Sequence, residues 1–292
     1  MTSVESIIDF SLSHEPVFIV GMERGGTSII YQTLSTASVF SGFKGEQETF
    51  IFDSPETVMT AAARDMTRSY IGGEASLEEY RRWFGNLTGW PENWMLPRRI
   101  ATSYFYFVHQ KGLTARIIEK TPRHALKLDL MMRCFPRARI IGVHRHPLGI
   151  IESYRSRLAR EIELGLSATS YAWLDRTPDQ ICAHIEKIAI SMTVGLQKYP
   201  RNMMVISYEE LLRDPEFSVG AMSAFTGLQD VTVQVKTENS AKAKSADPLL
   251  RAGGIVTGNE FSSQLSLADK LGLLARYPDL FAIAAGIKTS RP

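Results

Sequence analysis

Four short apolar runs punctuate the chain, and each stops at a glycine or a polar cluster. Residues 16–21, Pro-Val-Phe-Ile-Val-Gly, are rich in β-branched side chains and read as a buried strand. Arg116-Ile117-Ile118 runs into Glu119-Lys120-Thr121-Pro122. Ala138 to His144 runs into Arg145-His146-Pro147, and Met203 to Ser207 into Tyr208-Glu209-Glu210. Helical patterns lie between them, the first from Thr27 to Leu34. Pro122 and Pro147 stand where a first helical turn begins, a position that tolerates the missing N–H. Asp214-Pro215 marks another helix start. Strands alternating with helices predict an α/β fold with a parallel sheet core flanked by helices.

Residues 54–112 break this rhythm and read as a helical insertion, with helices around 55–68, 76–84 and 98–111. Trp83, Trp90, Trp94 and the run Tyr104-Phe105-Tyr106-Phe107 fall there. These aromatics suit either plain core or an apolar acceptor pocket. The polar, glycine-bearing stretch 236–262 reads as a loop.

Composition narrows the class. The 292 residues are 44% hydrophobic and 22% charged, as in soluble globular chains, and no apolar run reaches the roughly 18 residues of a spanning helix. Glu5 and Asp9 precede any apolar stretch, unlike a signal peptide, and two cysteines, Cys134 and Cys182, are too few for a disulfide framework or a metal cluster. A reducing, cytoplasmic location without membrane insertion is the expectation. The net charge of +2 argues against nucleic acid as a partner. Any anion must therefore be held by a local site.

The first strand leads into such a site. Residues 21–28 read Gly-Met-Glu-Arg-Gly-Gly-Thr-Ser, close to G-x-x-x-x-G-K-[ST], with Thr27 where the lysine would stand. Gly25 and Gly26 permit a tight turn that points N–H groups at one spot. The following helix adds its positive end, and Thr27 and Ser28 add hydroxyls. The loop is P-loop-like. Without the lysine, and with His-Arg-His rather than an acid ending the strand at 138–144, it suits a terminal 5′-phosphate or its sulfated form, with no metal expected.

A second anion site follows the third strand. Arg145 lies at a strand's carboxyl end, where parallel sheets bind ligands. Ser153 and Arg157 share one face of the next helix. The two arginines suit a bidentate grip on a phosphate, with Ser153 donating a third bond. His144 and His146 flank this site and are assigned no role.

These motifs together resemble the sulfotransferases that use 3′-phosphoadenosine 5′-phosphosulfate (PAPS), most closely the tyrosylprotein sulfotransferases and bacterial relatives. Arg24-Gly25-Gly26-Thr27-Ser28 is similar to the family's Arg-Ser-Gly-Thr-Thr loop. Arg145 followed eight residues later by Ser153 matches its 3′-phosphate motif, and Arg157 matches a further arginine of the tyrosylprotein branch. The resemblance implies a P-loop-like fold, a single sulfotransferase domain over 1–292 and PAPS as co-substrate. It makes Lys120, within Glu119-Lys120-Thr121-Pro122, the counterpart of a catalytic lysine. Tyr208, in Tyr208-Glu209-Glu210-Leu211, becomes a nucleotide contact, as does Arg251 by a weaker match.

Sulfuryl transfer implies a cation at the leaving bridge oxygen, from Lys120 and Arg24, and a general base for the acceptor hydroxyl, or less readily an amine. The family's Gly-Glu-Glu-Thr-Arg segment is similar to Gly45-Glu46-Gln47-Glu48-Thr49, where an inserted Gln47 leaves Glu46 and Glu48 as candidates. The Gly-Glu spacing favours Glu46. The acceptor itself, small molecule or peptide, is left open. Two other readings stay open on the residues alone: a P-loop nucleotide kinase, and a nucleotide-binding module without catalysis.

Overall fold

A computed structural model describes residues 4–40, 48, 52, 101, 116–233, 235–237, 255–257 and 265–286. Helix α1 (Val4–Ser13) precedes strand β1 (Val17–Gly21) and helix α2 (Thr27–Leu34). Strand β2 (Ile118–Lys120) runs through a 3-10 turn at Pro122–Lys127 into α3 (Leu128–Cys134). Then come β3 (Arg139–His144), α4 (Pro147–Glu163), α5 (Ala168–Tyr171), α6 (Pro178–Lys198) and β4 (Met203–Ser207). Helices α7 (Tyr208–Arg213) and α8 (Pro215–Thr226) follow, then strands β5 (Val235–Thr237) and β6 (Ile255–Thr257) and helices α9 (Leu267–Arg276) and α10 (Pro278–Gly286).

The first four strands form one parallel sheet in the order β2-β1-β3-β4. Val17 pairs with both Ile118 and Arg139, and Ile140 pairs with Met203. Every residue of β1 is buried, because helices cover both faces of the sheet. Alternation along β1 divides the core. Phe18 and Val20 pack with Phe135, Ile185 and Ile188 on one side. Val17 and Ile19 pack with Ile29 and Ile30 of α2 and Met222 of α8 on the other. Helix starts follow the expected chemistry. Pro147 opens α4, and the Asp214 carboxylate accepts from Phe217 N–H at 3.0 Å. Thr177 and Gln180 form a reciprocal capping box at the start of α6.

The chain leaves β1 for β2 on one side and later returns to β3 on the other. The carboxyl ends of β2, β1, β3 and β4 therefore lie side by side around a switch point, the usual place for a ligand crevice. Lys120, the loop 22–26, Arg145 and Tyr208 follow those four ends in that spatial order.

Two expectations are corrected. The second strand lies not over Arg116-Ile117-Ile118 but over Ile118–Lys120, because Val17, Phe18 and Ile19 of β1 pair with Ile118, Glu119 and Lys120. The stretch 236–262 is not wholly loop: β5 and β6 pair in parallel, Val235 with Ile255. Parallel pairing is non-local, and two three-residue runs give too little periodicity to reveal it. The insertion at 54–112, apart from Ala101, lies outside the described residues, as do Glu46 and Arg251. Among the described residues no helix is long and apolar enough to cross a membrane.

Candidate functional site

The loop after β1 is a tight turn, closed by Gly25 N–H donating to the Met22 carbonyl at 2.9 Å. Arg24 sits in the left-handed region at φ 65°, a conformation a non-glycine residue adopts when its surroundings hold it there. Gly26 follows at φ 100° and is the N-cap of α2. A Cβ at Gly26 would run into the Tyr208 ring, so glycine is required twice over, by conformation and by contact. Gly26 brings no side chain to cap the helix, so the N–H groups that open α2 keep their partial positive charge for an anion. Thr27 is buried and Ser28 half-buried on that first turn.

Ser153 of α4, Arg145 just after β3 and Tyr208 at the start of α7 close on this loop. Arg24 Nε donates to Ser153 Oγ at 3.1 Å. Arg145 Nη1 donates to the Arg24 carbonyl at 2.9 Å, and its guanidinium lies 4.4 Å from the centre of the Tyr208 ring. Arg145 is 4% exposed and Tyr208 is 1% exposed. Tyr208 thus lies beneath both Gly26 and Arg145 and supports them. Arg157 stands apart from this cluster, paired with Glu161 one turn along α4.

Lys120 closes β2, nearly enclosed at 4% side-chain exposure, and forms an ion pair with the Glu48 carboxylate, which is 37% exposed. One candidate acid and the candidate lysine therefore meet, although 72 residues separate them.

Sequence reasoning missed several supports. Glu209 accepts from His146 N–H at 2.9 Å and from the Ser207 hydroxyl at 3.2 Å, tying the ends of β3 and β4 together. His146 caps α4 through Nδ1, which accepts from Leu148 N–H. Burial holds the imidazoles of both His144 and His146 below their usual value against the pull of Glu209. Glu23, inside the loop, pairs with His184 of α6 at 3.1 Å. Burial raises the Glu23 carboxyl, but the His184 bond, its own backbone N–H and the nearby charges of His184 and Arg176 hold it lower than usual. No sequence spacing links residues 161 apart, so only the Tyr208-Glu209 run next to a strand end offered a signal.

A model of the sulfotransferase family matches residues 16–232, a span holding all four strands of the main sheet. Among solved structures, a sulfotransferase domain from the curacin biosynthetic pathway is 16% identical, covering 97% of this chain and 100% of that one with a TM-score of 0.53. A sulfotransferase from Alicyclobacillus acidocaldarius is 17% identical, covering 94% of this chain and 95% of that one with a TM-score of 0.47. The first of these likenesses is one of fold. No curated protein matches the sequence.

Proposed function

The chain belongs to the sulfotransferase family and is an enzyme of sulfuryl transfer, and on that premise we propose that its donor is PAPS and its acceptor a hydroxyl. One observation carries this reading: Arg24 of the loop after β1, Arg145 just after β3, Ser153 of α4 and Tyr208 at the start of α7 converge at the uncapped start of α2. In this reading the N–H groups and hydroxyls of Gly25, Gly26, Thr27 and Ser28 hold the 5′-phosphosulfate. Arg145 and Ser153, both joined to Arg24, supply charge and a hydroxyl to the 3′-phosphate, and Arg157 joins them on exchanging Glu161 for the ligand. Arg251 completes the nucleotide contacts.

The chemistry needs a bond from the acceptor oxygen to sulfur as the bridge S–O bond breaks. Lys120 and Arg24 neutralise the charge that grows on the bridge oxygen, which departs with 3′-phosphoadenosine 5′-phosphate. Glu48 takes the acceptor proton, a role its pairing with Lys120 supports; Glu46 is the other acid of that segment. Donor binding brings Lys120 a second anion, so the ammonium shifts from Glu48 toward the bridge oxygen and leaves the carboxylate to accept a proton. Protein cations fill the charge-neutralising role, and no metal enters the scheme.

Incubation with PAPS labelled in the sulfate and a panel of phenols, alcohols and tyrosine peptides tests this. The expected result is labelled acceptor with release of 3′-phosphoadenosine 5′-phosphate, at a rate EDTA leaves unchanged. Transfer from ATP that requires Mg²⁺, with none from PAPS, would overturn it.

A further inference from the structure

Beneath the end of β2 lies an ionisable cluster that the proposed chemistry does not use. Glu119, Thr121 and His124 are all fully buried. The Thr121 hydroxyl donates to Glu119 Oε1, and His124 Nδ1 lies 3.5 Å from Glu119 Oε2. On its other side, His124 Nε2 accepts from Phe52 N–H at 3.3 Å. A backbone N–H can only donate, so Nε2 carries the lone pair and the ring proton sits on Nδ1, facing Glu119. The tautomer that holds the Phe52 backbone is thus the one that turns its N–H toward the carboxylate, 3.5 Å away, where the negative charge favours it.

Phe52 is held a second way. Its ring packs edge-on against Phe18 of β1 at 5.3 Å and against His124 itself at 5.0 Å. Glu48 lies four residues before it, and four residues reach at most about 14 Å. On β2, Glu119 and Lys120 are neighbours and point to opposite faces. One face of the strand end thus grips Phe52, and the other carries the lysine that Glu48 meets. An apolar trio of the same volume would be easier to bury than this carboxylate and imidazole. What the polar trio adds is direction.

We infer that Glu119 and His124 are positioning residues that fix Phe52 against β2 and so set Glu48 onto Lys120, an inference that rests on the sulfuryl-transfer roles given above to that pair. Neither touches the reacting atoms. Both act through the place at which the acid-bearing chain is anchored.

Two replacements of His124 separate its hydrogen bond to Phe52 from its approach to Glu119. His124→Asn keeps a donor near the Nδ1 position and removes the Nε2 acceptor. His124→Gln keeps an acceptor near Nε2. Each variant is assayed for kcat, for affinity toward 3′-phosphoadenosine 5′-phosphate, for melting temperature and for reductive methylation of Lys120 read by mass spectrometry. Lys120 is enclosed and ion-paired, so the wild type resists labelling. In His124→Asn, kcat falls tenfold or more and Lys120 is labelled at least fivefold faster, while nucleotide affinity stays within twofold. His124→Gln stays near the wild type in both readouts. Glu119→Gln, which fills the same space but offers His124 an amide donor and reverses the tautomer, repeats the His124→Asn pattern. Wild-type kcat and labelling in His124→Asn would overturn the inference. So would joint loss of melting temperature and nucleotide affinity in both His124→Asn and Glu119→Gln, since the cluster would then be a general structural support. If the wild type transfers no sulfate from PAPS, the catalytic reading fails by itself, and Lys120 labelling alone decides whether His124 positions the acid.

Discussion

Lys120 and Glu48 form an ion pair at the carboxyl end of β2, with the lysine enclosed and the carboxylate half open to solvent. The asymmetry matters. An enclosed ammonium is weakly screened and acts strongly on charge developing beside it. A carboxylate at the rim remains able to exchange a proton with whatever approaches from outside.

Lys120→Ala is therefore expected to lower kcat by about 10²–10³-fold and to change the KM for PAPS only a few-fold. A charge aimed at the leaving oxygen acts in the transition state far more than in the ground state. Steady-state kinetics at saturating acceptor distinguish the cases. A raised KM with normal kcat would make Lys120 an anchor for the nucleotide.

Removing the base should cost about 10²–10⁴-fold in rate. Sequence spacing favours Glu46, whereas the ion pair to Lys120 supports Glu48. The expected outcome is that Glu48→Gln is nearly inactive and Glu46→Gln retains most turnover, each measured under saturating PAPS. Near-normal turnover in both would remove this segment from the mechanism.

Arg145 lies between the Arg24 carbonyl and the Tyr208 ring. If it serves the 3′-phosphate, the wild type binds 3′-phosphoadenosine 5′-phosphate far more tightly than AMP. Arg145→Ala should erase most of that preference, at about 1.5–3 kcal/mol for each charge-assisted bond lost. Calorimetry with both nucleotides reads the difference. Equal wild-type affinities would remove the second anion site.

Gly26→Ala meets two obstacles, φ of 100° and the Tyr208 ring. Tyr208→Ala relieves only the second. The single variant is expected to lose about 1–3 kcal/mol in stability together with most nucleotide affinity, and the double variant to recover part of the contact cost but not the backbone strain. Melting curves with and without nucleotide measure both.

His14 provides a pH test away from the site. Burial first, then the charge of Arg116, hold its imidazole down from 6.5 to about 4, with Glu15 pulling the other way. The unfolded chain takes up the proton near 6.5 and the folded chain only near 4. Its contribution is therefore complete above pH 6.5 and is lost progressively as the pH falls toward 4, up to about 3 kcal/mol in all. His14→Gln should show a shallower fall in melting temperature across that window. An unchanged slope would show that His14 does not carry it.

The sequence determined where the four strands of the sheet fall, because each includes or adjoins a short apolar run that only burial on both faces rewards, although β2 itself ends in Glu119 and Lys120. It also determined the tight loop after β1, where Gly25 and Gly26 after a strand and before a helix leave little conformational choice, and the place of Arg145 at the end of the third run. What these share is locality: the signal lies within about ten neighbouring residues. Tertiary structure alone decided which elements meet. Sheet order placed Lys120 on one side of the loop and Arg145 and Tyr208 on the other. Contacts spanning 72, 129 and 161 residues then joined Lys120 to Glu48, Arg24 to Ser153 and Glu23 to His184. The buried place of Tyr208 under Gly26 and Arg145 was likewise decided by packing, because residue type alone does not say what a ring will lie against. The Glu119–His124–Phe52 cluster was invisible for the same reason: the hydrogen bond from Phe52 to His124 spans 72 residues and leaves no periodicity to read, and only the packed core brings its partners together.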